Sequence, residues 1–314
     1  MATRQRVLVV VDPTASHHPA IERAAWLARS VPCLIELFIC DNAPLLADAR
    51  GSNAAAIAEG RAVLLARHTA RLEQLAGPLA AAGLKVTVDS RWDYPLHDGI
   101  VRKALDFGAD LVVKDTHFHS VLKRSIFSNT DWSLIRNCPN ALWLVKPRAP
   151  GQRPCLVAAV DPLHERDKPA DLDHKILRAA GDLAKALGGE VQVFHSFDIA
   201  AALAVSTDSM TMPIALPVRE FADAMRVEHT DAVKALCAKH AIPAERIHVH
   251  QGGTRELLMA LTDELRADVV IMGAVSRSGL KGLFLGNTAE DVLDRLHCDL
   301  LIVKPDGFAP TLPG

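Results

Sequence analysis

The residues of this 314-residue chain whose types and spacing suit chemistry lie mostly in one run, Met272-Gly273-Ala274-Val275-Ser276-Arg277-Ser278-Gly279-Leu280-Lys281-Gly282-Leu283-Phe284-Leu285-Gly286-Asn287-Thr288. An apolar run, Val269–Ile271, precedes it and a helical pattern begins near Gly286. Strand, glycine-rich loop and helix start together suit a phosphate. Glycine lets main-chain N–H groups approach an anion closely, and the first turn of a helix offers unpaired donors with partial positive charge. Asn287 or Thr288 is placed to cap the helix or donate to a phosphate oxygen, while Arg277 and Lys281 add mobile positive charge. The run is not a Walker A loop, because G-x-x-x-x-G-K-[ST] has no match.

Signals for bond-making chemistry are weak elsewhere. No G-x-S-x-G elbow is present, and none of the six cysteines (33, 40, 138, 155, 237, 298) sits in a C-x-x-C pair or a nucleophile motif. They read as small buried thiols in a reducing compartment. His117-x-His119 beside Asp115, and His248-x-His250, lack the spacing of a zinc motif and read as a polar loop and a strand face. His17-His18 follows the first Asp-Pro strand end and reads as exposed, with the lining of a ligand mouth as the alternative. Asp171-Leu172-Asp173 and Glu290-Asp291 suit first helical turns, where negative charge complements the helix dipole. The S-G-G-x-D-S loop of ATP pyrophosphatases is absent after either first strand. A non-catalytic role is expected.

The elements that must position the glycine-rich run are written twice. Arg6–Pro13 (RVLVVVDP) recurs as Cys155–Pro162 (CLVAAVDP), and Asp89–Pro147 aligns without a gap onto Ile247–Pro305 at an offset of 158. The polar, proline-rich segment PRAPGQRP separates the copies, giving domains over 1–147 and 155–314 joined by a linker over 148–154. Short continuous apolar runs predict strands buried on both faces: Val7–Val11, Leu34–Ile39, Val86–Val88, Leu111–Val113 and Ala141–Val145 in the first copy. The second copy supplies Leu156–Val160, Val191–Phe194, Ile247–Val249, Val269–Ile271 and Leu300–Val303. Helices are predicted between them, one over Gly60–Ala82 with Val63, Leu64, Ala70, Leu72, Leu75 and Leu79 as its core stripe. Each copy is thus an open α/β unit with a five-stranded parallel sheet, its ligand expected beyond the C-terminal strand ends. The second copy holds nine extra residues within Ala200–Val218, read as a helix and loop or as an apolar wall over a ligand.

A formal charge of -2 gives no basic field for nucleic acid or anionic membrane, and an aromatic content of 4% gives no platform for stacking bases. Neither is expected as a partner. The first residues carry no secretory pattern and no apolar run spans a bilayer, so a cytoplasmic location is expected.

The paired Asp-Pro strand ends, the spacing Gly273-x2-Ser276-x9-Gly286 and the closing LLIVKP resemble the tandem-domain members of the universal stress protein family. FLGNTAEDVLDRLHCDLLIVKP and SIFSNTDWSLIRNCPNALWLVKP carry most of the likeness, which runs from Val7 to Pro305. The resemblance implies two adenine nucleotide alpha hydrolase-like sandwiches with flanking helices, paired as an intrachain pseudo-dimer and open to homodimer formation. It also implies a cytoplasmic stress-response role without catalysis, with ATP or another nucleotide as ligand and no metal beyond phosphate-bound Mg. Carried over position by position, Asp161 with Pro162 faces the base. Gly273, Ser276, Arg277 and Gly279 form the phosphate loop, and Gly286, Asn287 and Thr288 start the helix. Two positions depart from the family pattern: Ser276 replaces the second glycine, and Asn287 stands where Ser or Thr is usual. In the first copy Asp115, Phe118 and Ser128 match Gly273, Ser276 and Gly286, a combination expected to reject ATP. Two alternatives stand beside this reading, a hydrophobic or acylated nucleotide held between the domains and slow ATP hydrolysis.

Overall fold

The computed structural model describes residues 4–43, 46, 54–119, 124–126, 128–163, 171–199, 218–274 and 295–310. The chain divides into two units, Met1–Ala149 with Asp299–Gly314, and Pro150–Cys298. The first repeat therefore gains the last strand of the chain.

In the first unit β1 (Gln5–Val10), α1 (Pro19–Ala28), β2 (Cys33–Asp41), α2 (Ala54–Ala81), β3 (Lys85–Trp92), α3 (Leu96–Phe107) and β4 (Leu111–Asp115) alternate. A small antiparallel pair, β5 (His117–His119) and β6 (Arg124–Ile126), leads to α4 (Asn129–Asn137) and β7 (Ala141–Val145). The sheet order is β12-β7-β4-β1-β2-β3, where β12 is Asp299–Val303. Its first-repeat strands pair in parallel, and β12 joins β7 antiparallel, with Leu301 opposite Trp143. Val7, Leu8 and Val9 are fully buried, as expected of a central strand covered by helices on both faces. Gly108 ends α3 in the left-handed region (φ 64°), where a side chain would be strained.

The second unit contains β8 (Cys155–Ala159), α5 (Leu172–Leu187), β9 (Glu190–Phe197), α6 (Val218–Ala238), β10 (Ile247–Gln251), α7 (Thr254–Glu264) and β11 (Val269–Gly273). Its strands run in the order β10-β9-β8-β11, all parallel. With β12 grouped with the first unit, the ten strands do not split cleanly into the expected five and five. The cause is local to β12. Asp299 is buried, and its carboxylate accepts from Arg23 Nε at 2.8 Å, Trp143 Nε1 at 3.1 Å and the Lys146 amide at 2.9 Å. Burial pushes its pKa up, opposed by Arg23 and these hydrogen bonds. Lys304 is buried beyond the strand, donates to the Ile135 carbonyl and lies 4.4 Å from the Phe308 ring centre.

One helical expectation needs correction. In α2 only His68 and Leu72 are buried, and Val63 is 66% exposed. Alanine and small apolar residues spread around this helix, so its sequence does not single out one face. Segment Ala200–Val218 lies outside the described residues except at Val218, where α6 begins.

Candidate functional site

At the C-terminal ends of β8 and β9 the second unit forms a cleft of about 190 Å³. Its walls are apolar, from Leu172, Ile176 and Phe194, and Asp161, His195 and Thr254 bring polar groups. Asp161 leaves β8 with its side chain 43% exposed, and Pro162 follows in the turn. The Asp161 amide donates to Asp173 Oδ1 at 3.1 Å, tying the strand end to the start of α5. Gly273 ends β11 against the same helix. A Cβ there would lie 2.6 Å from Leu172 Cδ2 and 3.0 Å from Leu172 Cγ, so any side chain at this position would force Leu172 to shift.

A histidine pair that the sequence did not single out sits at the side of this cleft. His195 Nδ1 lies 2.9 Å from the Val160 carbonyl, which only accepts, so Nδ1 carries the proton. For neutral rings, Nε2 then accepts from His229 Nδ1 at 2.7 Å, and the His229 ring stacks on Phe197 with centres 4.6 Å apart. His195 Nδ1 is also 3.8 Å from Asp161 Oδ1. The fixed tautomer holds the ring beside the carboxylate. Fourteen histidines without a spacing pattern hide such a pair, because β9 and α6 meet only in three dimensions. Ser276, Arg277, Gly279, Gly286, Asn287 and Thr288 lie outside the described residues.

The first unit has a larger cavity of about 340 Å³ at the matching strand ends, lined by Asp12, Asp41, Asp115 and Lys114. Asp41 Oδ2 is 2.7 Å from His68 Nε2, and Asp115 Oδ1 accepts from the Ala20 amide at 2.6 Å. Burial lifts the Asp115 pKa to about 6, aided by Asp12 and opposed by the Ala20 amide, Lys114 and His17. Where the second unit has Gly273, the first therefore places a largely buried acid. Ser128 caps α4, and the Phe118 side chain is not among those described.

Among the described residues no group of three or more His, Cys, Asp or Glu could hold a metal ion. His248 Nε2 instead meets Gln192 Oε1 at 2.9 Å, with its pKa lowered first by burial and then by His250. All six cysteines are buried, and burial pushes the Cys40 thiol up to about 12.

The universal stress protein family profile matches residues 3–146 and 167–304. The chain belongs to the universal stress protein family. It is 31% identical over 317 residues to universal stress protein E of Escherichia coli K12, covering 98% of this chain and 96% of that one. The E protein of Photorhabdus laumondii is 30% identical over the same length, with 98% and 97% covered. A crystal structure of a putative universal stress protein from Pseudomonas aeruginosa UCBPP-PA14 superposes with a TM-score of 0.73 at 25% identity, covering 96% of this chain and 94% of that one. A family protein from Archaeoglobus fulgidus shares the fold at a TM-score of 0.64, 15% identity and 95% and 98% coverage. Two universal stress protein domains in tandem thus account for nearly the whole chain. No described helix is long and apolar enough to cross a membrane.

Proposed function

We propose that this universal stress protein is a non-catalytic, cytoplasmic stress-response protein that holds ATP, another nucleotide or a small anion at the cleft of its second unit. The observation that carries the reading is the meeting of Asp161, half-exposed and tied to α5, with the Gly273 strand end in one cleft. Asp161 supplies an acceptor for a donor-bearing head, and the glycine-rich sequence that follows Gly273 is of the type that offers main-chain donors to phosphate. Magnesium enters only with phosphate. The protein works as a ligand-responsive module, without nucleic acid or membrane as partner.

Thermal shift and isothermal titration of the full chain with ATP, ADP and AMP test the reading. One site per chain is expected, weakened at least tenfold in Asp161→Ala. No shift and no heat with any of the three removes it. The apolar walls Leu172, Ile176 and Phe194 favour a second reading, an acylated nucleotide. Native mass spectrometry of freshly purified protein showing only the bare chain mass counts against that one.

A further inference from the structure

The start of α4 in the first unit already carries an anion, and the chain itself supplies it. Asp131 is fully buried, and its Oδ1 lies 2.8 Å from the ammonium of Lys114, also buried. Its Oδ2 accepts from the Ser128 amide at 2.7 Å and from the Ser128 hydroxyl at 2.9 Å. The Asp131 amide donates back to Ser128 Oγ at 3.2 Å, closing a capping box. Lys114 has a second bond, to the Asp115 carbonyl at 2.9 Å. An ammonium, a main-chain N–H and a hydroxyl at a helix start are the donors a protein offers a phosphate oxygen. Here all three are spent on a carboxylate. At the repeat offset the second unit carries Met272 for Lys114, Gly286 for Ser128 and Ala289 for Asp131. At these three positions its sequence has neither an acid nor a lysine.

We propose that Asp131 is a built-in ligand: its carboxylate fills the anion position of the first unit, so that this unit is self-occupied and exogenous anions are left to the second. The last clause rests on the function proposed above; the first does not. The pair also accounts for a lysine and an aspartate buried side by side. Each would be costly alone, and together they are neutral and hydrogen-bonded.

The test uses the full chain and inorganic pyrophosphate, followed by isothermal titration, with circular dichroism to confirm folding. Asp131→Ala removes the carboxylate that fills the position and leaves Lys114 and the Ser128 amide and hydroxyl without it. It is expected to add one pyrophosphate site per chain relative to the parent, with an affinity that falls steeply with salt. Lys114→Met in the Asp131→Ala background is expected to weaken the new site at least tenfold. A folded Asp131→Ala protein with unchanged pyrophosphate stoichiometry overturns the proposal. Asp131→Ser, which keeps a hydroxyl at this helix position, is read in the same way where Asp131→Ala does not fold. A parent chain that binds no nucleotide would remove the second-unit function, while a gained pyrophosphate site in Asp131→Ala would still establish the built-in anion.

Discussion

Asp115 shows what a single divergent position does to a ligand cavity. Burial has raised its pKa to about 6, so the folded chain holds this proton more tightly than the unfolded chain does. Stability from this group is then lost as pH rises from about 4 to about 6 and stays lost above. Asp115→Asn keeps an acceptor for the Ala20 amide and removes the buried charge. Chemical denaturation is expected to show it more stable than the parent at pH 7.5, by at most about 3 kcal/mol, with the difference gone near pH 4. A variant equally stable at both pH values would show that the carboxylate is not strained. Position 115 was legible in the sequence as an acid set where the other repeat has glycine. Its hydrogen-bond partner was not, since the Ala20 amide reaches it from α1. The His195–His229 pair was hidden for the same reason: β9 and α6 are joined through a segment whose sequence has no clear period.

Gly273 decides how closely α5 approaches β11. The sequence presents it as the glycine of a phosphate loop, and the packing adds a second demand, since Leu172 and Ile176 occupy the space beside its Cα. Gly273→Ala is expected to cost about 1–3 kcal/mol by overpacking. Leu172→Ala in the same chain should recover part of that loss, giving a coupling measurable in a double-mutant cycle. Additive losses would place the strain elsewhere. The strands were the legible elements, because runs such as Val7–Val11 and Val269–Ile271 are apolar without a break and have few alternative readings. The face of α2 was not legible. Its apolar residues surround much of the helix, and the contacts that bury Leu72 but leave Val63 exposed are set by β2 and β3.

For the whole molecule, repeat and family were readable from the first strand to the last, but the partition of strands was not. Two equal copies suggest two equal sheets, yet β12 belongs with the first unit. The repeat offset places Asp299 opposite Ala141, so only the second copy of this strand carries the acid to which Arg23, Trp143 and the Lys146 amide donate. Asp299→Ala leaves Arg23 buried without its counter-charge and is expected to cost about 3–5 kcal/mol in denaturant unfolding. Adding Arg23→Met should return much of that. If the single variant unfolds at the parent's midpoint, the pair is not what anchors the strand.

This placement of β12 has a consequence for how the protein is made. On the ribosome the first unit emerges with β7 unpaired along one side, and the strand that covers it is translated only after the entire second unit. At typical elongation rates that interval is on the order of ten seconds, long against the folding of a small α/β domain. The nascent chain must keep an exposed strand edge from pairing with its neighbours on a polysome until its own last residues arrive.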